Sequence, residues 1–409
     1  MSGHGHGHGR HEAPRYDRPV LRATLLALAT AAILFAVSAV VRAGGVVFEI
    51  ELTDAWFGAL LVALVLVALV SLLLSRRRVT RVLAVLALVV ALVLGSAAAV
   101  NLHFDYYRTL GEAVGAPPSD QVTIETMLRE DADPGPGVVA PVSIPATASG
   151  FAARPAMIYV PQAFFARPRP QLPVIMLLHG TPGTPQDWID GGRADKIADA
   201  FAAAHAGVSP ILVMPDINGS TTADTECVDG PAGNAETYLT RDVPDYVLST
   251  FRARPTGSAW AIAGLSEGGS CAVMLALRHP NDFHTFGDYA GLEGPRSGDT
   301  NAGTADTVAQ LFGGSQDAFD AHEPLTILGS TRFPALGGWF EVGTADTAPA
   351  QAQAALVPAA QRAGITTCSV LVPGGGHTFD VFSAAFERSL PWMASRLGIP
   401  TTGAACPQQ

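Results

Sequence analysis

The chain has 409 residues, a net charge of −11 and a hydrophobic content of 48%, with 25 basic against 36 acidic side chains. That length holds roughly two to three domains. The acidic balance leaves no basic patch for a nucleic-acid partner.

Residues 1–20 open with Ser2-Gly3-His4-Gly5-His6-Gly7-His8-Gly9-Arg10-His11, the composition of a disordered cytoplasmic tail. Its histidines are metal-ligating types, but no fixed carboxylate or thiolate accompanies them. No metal site is assigned, and no cofactor is expected.

Three charge-free apolar stretches follow, Ala23–Val41, Trp56–Leu74 and Val82–Val100. Each is about 19 residues, enough to cross a hydrocarbon core of about 30 Å. Residues 21–103 are therefore expected to form three transmembrane helices. Arg10, Arg15, Arg18 and Arg22 precede the first stretch, and Arg76, Arg77, Arg78 and Arg81 lie between the second and third. The connection between the first two carries Glu49, Glu51 and Asp54, with Arg42 the only base at its edge. The positive-inside rule then puts the N-terminus in the cytoplasm and everything after Val100 outside a plasma membrane, with bilayer lipid as a partner.

Residues 104–140 read as a linker, with Pro117-Pro118 and Asp131-Ala132-Asp133-Pro134-Gly135-Pro136-Gly137. A catalytic domain is expected over 141–398 and a tail over 399–409. Short apolar runs alternate with helical patterns there, the signature of an α/β fold with a mostly parallel sheet. The expected strands are Val138–Ile144, Ala156–Val160, Pro173–Leu178, Pro210–Met214, Ala259–Ala263, Thr285–Ala290, Trp339–Gly343 and Thr367–Val372. The expected helices are Ala194–His205, Ala235–Phe251, Gly269–Arg278, Ala348–Ala363 and Phe379–Arg396.

Gly264-Leu265-Ser266-Glu267-Gly268 joins a strand to a helix. A Gly-x-Ser-x-Gly turn in that context is the nucleophile elbow of the α/β-hydrolase fold. Ser266 is the expected nucleophile, and it needs a base. His377 follows the last strand through Pro373-Gly374-Gly375-Gly376, and it preserves the chain order nucleophile, acid, base. Asp346, three residues beyond the strand Trp339–Gly343, is the expected acid. Glu341 is its rival, but a mid-strand carboxylate points into a helix layer. The oxyanion donors are expected to be the backbone N–H groups of Glu267 and Thr181, because Pro182 has none. Trp188 and Tyr238 are candidate walls of a substrate pocket, and each reads equally as core.

All four cysteines, Cys227, Cys271, Cys368 and Cys406, fall in the part expected outside, where disulfides form. The expected pairing is Cys227–Cys271 and Cys368–Cys406, one of three that four cysteines permit.

Several stretches resemble the esterase D-like family of α/β-hydrolases, which includes the secreted mycolyltransferases of mycobacteria and corynebacteria. They are Thr237-Tyr238-Leu239-Thr240-Arg241-Asp242-Val243-Pro244, Pro255-Thr256-Gly257-Ser258, His279-Pro280 and Gly376-His377. The resemblance implies Ser266 as nucleophile, His377 as base, and Thr181 and Glu267 as oxyanion donors. The mycolyltransferases carry Asp-Gly-x-Arg where this chain has His179-Gly180-Thr181-Pro182, so both polar anchors for trehalose are missing. They also have an apolar residue at the position of Glu267 and lack the membrane spans. Membrane-anchored actinobacterial esterases are the nearer match.

The resulting expectation is an anchored, extracytoplasmic serine esterase acting on acyl esters. An acyltransferase using a sugar or lipid hydroxyl of the cell envelope is the alternative. A non-catalytic tethered scaffold is the third reading.

Overall fold

The computed structural model describes residues 55–107, 110–113, 121–129, 135–401 and 405–406. The first expected span, Ala23–Val41, and the histidine-rich tail lie outside these residues. The chain divides into two compact units. One contains helices α1 (Ala55–Leu74) and α2 (Arg78–Phe104). The other holds Phe104–Tyr106 and the described residues from 121 onward.

Among the described residues, one helix, α2, is long and apolar enough to cross a membrane; Leu61–Leu74, within α1, is a shorter apolar stretch. The expectation of three such helices is thus met by one in what is described. Its side chains point outward: Leu92 is 70% exposed, and Leu83, Leu86, Val89 and Val93 are all exposed. Such a surface is costly in water and neutral in lipid.

The second unit is built on an eight-stranded sheet. Its strands are β1 (Val138–Val142), β2 (Ala156–Val160), β3 (Val174–Leu178), β4 (Ile211–Met214), β5 (Gly257–Leu265), β6 (Phe283–Tyr289), β7 (Gly337–Gly343) and β8 (Thr366–Val372). Their spatial order is 1-2-4-3-5-6-7-8. β2 is antiparallel to both neighbours and the remaining pairs are parallel. This is the α/β-hydrolase arrangement. β3 shows why a continuous apolar run suits its centre. Val174, Met176 and Leu178 enter one hydrophobic core, while Ile175 and Leu177 enter the core on the opposite face.

The α-helices of four or more residues in this unit are α3 (Ile124–Leu128), α4 (Asp187–Asp190), α5 (Ala194–Ala204), α6 (Val243–Phe251), α7 (Glu267–Arg278), α8 (Thr304–Leu311), α9 (Gln316–Asp320), α10 (Pro324–Ser330), α11 (Thr347–Arg362) and α12 (Phe379–Arg396). The single helix expected over Ala235–Phe251 is interrupted by a π-helical turn at Tyr238–Asp242. Pro244, which has no N–H to donate, follows that turn and starts α6. Part of the expected linker also packs with the sheet: Met127 on α3 is buried, and Gln121 bridges to Val139. In the expected tail, Ile399 is buried, and Cys406 is bonded to Cys368. The second disulfide is Cys227–Cys271.

Candidate active site

β5 runs into a single strained residue. Ser266 adopts φ 55° and ψ −124° and then caps α7. A non-glycine residue held there needs close support on both sides. Gly264 and Gly268 allow it: a Cβ on Gly264 would strike the Gly268 carbonyl, and one on Gly268 would strike the Leu178 carbonyl. The Ser266 N–H is held by the Tyr289 carbonyl of β6 at 2.9 Å. The hydroxyl is thereby presented at the carboxyl ends of the parallel strands, where open α/β sheets place their sites.

Two loops from the same edge meet it. His377 Nε2 lies 2.9 Å from Ser266 Oγ, and His377 Nδ1 lies 2.5 Å from Asp346 Oδ2. Asp346 is fixed by the turn after β7, with its N–H on the Gly343 carbonyl. The His377 loop is pinned to that turn, because the Thr344 hydroxyl accepts the Gly374 N–H at 2.8 Å. His377 also meets the Phe382 ring edge-on at 5.0 Å between centroids. The structure therefore brings Ser266, His377 and Asp346 together, 111 and 31 residues apart in sequence. Such a chain can move a proton from the serine to the imidazole while the carboxylate stabilises the imidazolium.

Glu341 points elsewhere. It is fully buried in a helix layer, where Trp339 Nε1 donates to it at 3.0 Å and Arg388 Nε at 2.8 Å.

Thr181 and Glu267 sit beside the serine, and neither backbone N–H has a hydrogen-bond partner among the described residues. Their side chains bind each other: the Thr181 hydroxyl donates to Glu267 Oε2. Asn218 Nδ2 donates to the same oxygen at 2.7 Å and to the Thr181 hydroxyl at 2.5 Å. Burial, and then the negative charge of Asp224, push the Glu267 carboxyl up to about 7 against these hydrogen bonds. His179 is buried behind this loop. Its Nε2 donates to Asp216 Oδ1 at 3.2 Å. Burial alone would raise Asp216. Hydrogen bonds from His179 and Arg154 outweigh it and hold that carboxyl below the usual carboxylate range.

The cavity over Ser266 has a volume of about 390 Å³. Trp188 and Tyr238 are not among its lining residues, a correction to their reading as pocket walls. Both are fully buried. Trp188 packs on Tyr289 and Phe386 with its indole N–H on the Leu178 carbonyl, and Tyr238 packs on Phe151. Large aromatic surface is most stable in the core, and that decides their place. The cavity is lined instead by residues that carried no sequence signal, among them Asp224, Glu226, Leu292 and Asp299. They come from loops, and loop residues follow no periodicity. The one available hint was the acidic pair Asp224-Thr225-Glu226 directly before Cys227.

The family model described as "Putative esterase" matches residues 152–393. The chain belongs to this family. An uncharacterized protein of Corynebacterium glutamicum is 36% identical over 337 residues, covering 78% of this chain and 77% of that protein. The diacylglycerol acyltransferase/mycolyltransferase Ag85A of Mycobacterium leprae is 35% identical over 98 residues, only 22% of this chain and 28% of that protein. Among solved structures, a ferulic acid esterase superposes with a TM-score of 0.52 at 19% identity, covering 64% of this chain and 99% of its own. The S-formylglutathione hydrolase of Agrobacterium tumefaciens gives 0.51 at 20% identity, covering 64% and 95%. The fold is that of these hydrolases, and the chain is an enzyme of the serine hydrolase class acting by ester hydrolysis or acyl transfer.

Proposed function

We propose that this protein is a membrane-anchored serine esterase whose catalytic domain works outside the cytoplasm. The observation that carries the reading is the hydrogen-bonded line from Asp346 through His377 to Ser266 at a strained elbow. In this mechanism Ser266 Oγ attacks the ester carbonyl as His377 Nε2 takes its proton. The developing oxyanion is met by the Glu267 and Thr181 N–H groups. The C–O bond of the tetrahedral intermediate breaks, and His377 protonates the departing alcohol. Water, activated by the same imidazole, then attacks the acyl-enzyme and frees the acid and Ser266.

Hydrolysis is favoured over transfer by access: the His377 side chain is 42% exposed, so water reaches the acyl-enzyme. The transfer reading draws on the matched segment of the mycolyltransferases, with a hydroxyl acceptor in place of water. The anchor is the three-span region over 21–103, followed by a short connection and the hydrolase domain. α2 supports it by length and apolarity, and the two disulfides fit an oxidising compartment.

The test is labelling of membranes with a fluorophosphonate probe. Wild type should be labelled, and Ser266→Ala and His377→Ala should not. A folded wild-type protein that takes no label would refute the triad.

A further inference from the structure

The cavity over Ser266 is acidic to a degree that ester hydrolysis alone does not require. Asp224, Glu226, Glu267 and Asp299 all line it, and no Lys or Arg appears among the described residues that do. Glu267 is satisfied from within, by Thr181, Asn218 and the Glu226 N–H at 3.2 Å. Glu226 is not. It is only 5% exposed, yet its Oε2 has no hydrogen-bond partner, and neither does Asp224 Oδ1. A buried carboxylate oxygen without a donor costs free energy comparable to a lost hydrogen bond, and more when charged. Burial, with Glu267 and Asp224 as like-charged neighbours, raises Glu226 well above the ordinary glutamate range, against a backbone hydrogen bond from Arg296 and the charge of its guanidinium. A positive group entering the cavity would reverse that penalty.

The nature of the cation follows from the donors and the space. Among the described residues no group of three or more His, Cys, Asp or Glu is arranged to hold a metal ion. The volume lies near the lower end of the roughly 300–1,000 Å³ typical of small-molecule sites. Carboxylates on the wall disfavour both an anionic headgroup and a long apolar chain.

We propose that Asp224, Glu226 and Asp299 form a subsite for an organic ammonium group, so that the esters cleaved at Ser266 carry a cationic nitrogen close to the scissile carbonyl. The proposal rests on the esterase reading above and specifies its substrate class. The nitrogen sits on the acyl side, as in an aminoacyl ester, or on the alcohol side, as in an ester of an amino alcohol. The recognition chemistry is the same.

Two pairs of isosteric esters test this with the full-length protein in detergent. Alanine methyl ester is compared with isobutyric acid methyl ester, and acetylcholine with 3,3-dimethylbutyl acetate. Acid release is followed by pH-stat, and each kcat/KM is divided by the rate of hydroxide hydrolysis of that ester. The cationic member of at least one pair should be preferred by about tenfold or more, mainly through KM. The pair that shows the preference identifies the side carrying the nitrogen. Glu226→Gln should shrink the preference by about tenfold, and Asp299→Asn, at the exposed rim, provides the same readout if Glu226→Gln does not fold. Equal or lower values for the cationic member of both pairs overturn the proposal and leave the esterase intact. So does failure to cleave any of the four while Ser266 still takes the fluorophosphonate. Loss of that labelling in the wild type would instead remove the esterase reading on which the proposal stands.

Discussion

The Tyr106 hydroxyl donates to Asp187 Oδ1 across 2.7 Å, joining the segment that follows α2 to the start of α4. Asp187 also accepts the Thr184 N–H at 3.0 Å and the Thr184 hydroxyl at 2.8 Å, so it sets the loop that begins at Thr181. The Tyr106 ring meets Phe379 edge-on at 4.9 Å, two residues beyond His377. One side chain thus touches two of the segments that converge on Ser266. Tyr106→Ala is expected to lower kcat by about tenfold with little change in KM, because it loosens those loops without entering the cavity. Tyr106→Phe, which keeps the ring, should recover most of that loss. Steady-state kinetics on the full-length variants decide it, and an unchanged kcat in Tyr106→Ala would sink the idea.

Asp346→Asn should preserve the fold and lower kcat by about 10³- to 10⁴-fold, the loss expected when the orienting carboxylate becomes an amide and the imidazole takes the wrong tautomer. Glu341→Gln should leave the chemical step alone and instead reduce stability, because it leaves Arg388 without its buried counter-charge. Measuring kcat and thermal unfolding for both variants separates the two carboxylates. A larger kcat loss at Glu341 would reverse their roles.

Asp288 is buried on β6 and accepts the Gly291 N–H at 2.8 Å, and burial pushes its carboxyl up to about 7. The folded protein therefore holds this proton more tightly than the unfolded chain. The stability it contributes is full below the unfolded value of 3.8 and is lost as pH rises through about 7. Glu267 shifts the same way. Asp288→Asn keeps an acceptor for Gly291 and removes the titration. It should raise unfolding free energy by about 1–3 kcal/mol at pH 8 and give no gain at pH 4. Denaturant melts of the two proteins at both pH values test this, and an equal difference at each would contradict it.

The disulfides Cys227–Cys271 and Cys368–Cys406 close segments of 44 and 38 residues. Losing either should cost about 2–5 kcal/mol. Cys227–Cys271 matters more to activity, since Cys227 follows Glu226 at the cavity and Cys271 lies on the elbow helix α7. Cys271→Ser should lower kcat/KM beyond what its stability loss explains, whereas Cys406→Ser should affect stability alone. Activity measured well below each variant's melting temperature distinguishes the two outcomes.

The eight strands of the sheet were legible in the chain because each is a short apolar run bounded by polar or turn residues, and all eight lie within two residues of where those runs predict them. Ser266 could be singled out because its strained turn demands glycine at fixed positions, a demand that local sequence records. The small helices α8, α9 and α10 were missed. They pack on the edge of the core with few apolar residues each, so no period stands out. The π-turn at Tyr238–Asp242 was hidden for another reason: helical periodicity is the same whether or not the ladder changes step.

By itself, the sequence determined what local chemistry dictates: apolar segments of membrane-spanning length, the alternation of strand and helix, the elbow at Gly264–Gly268, and the loops that carry Asp346 and His377. Only the tertiary structure decided what depends on distance through space. It buried Trp188 and Tyr238 in the core, turned Glu341 toward Arg388, and drew Asp224, Glu226 and Asp299 around Ser266. The physical reason is that a loop residue's position is set by where the strands at its two ends sit in the sheet. Strand order results from burying both faces at once, which no single segment encodes.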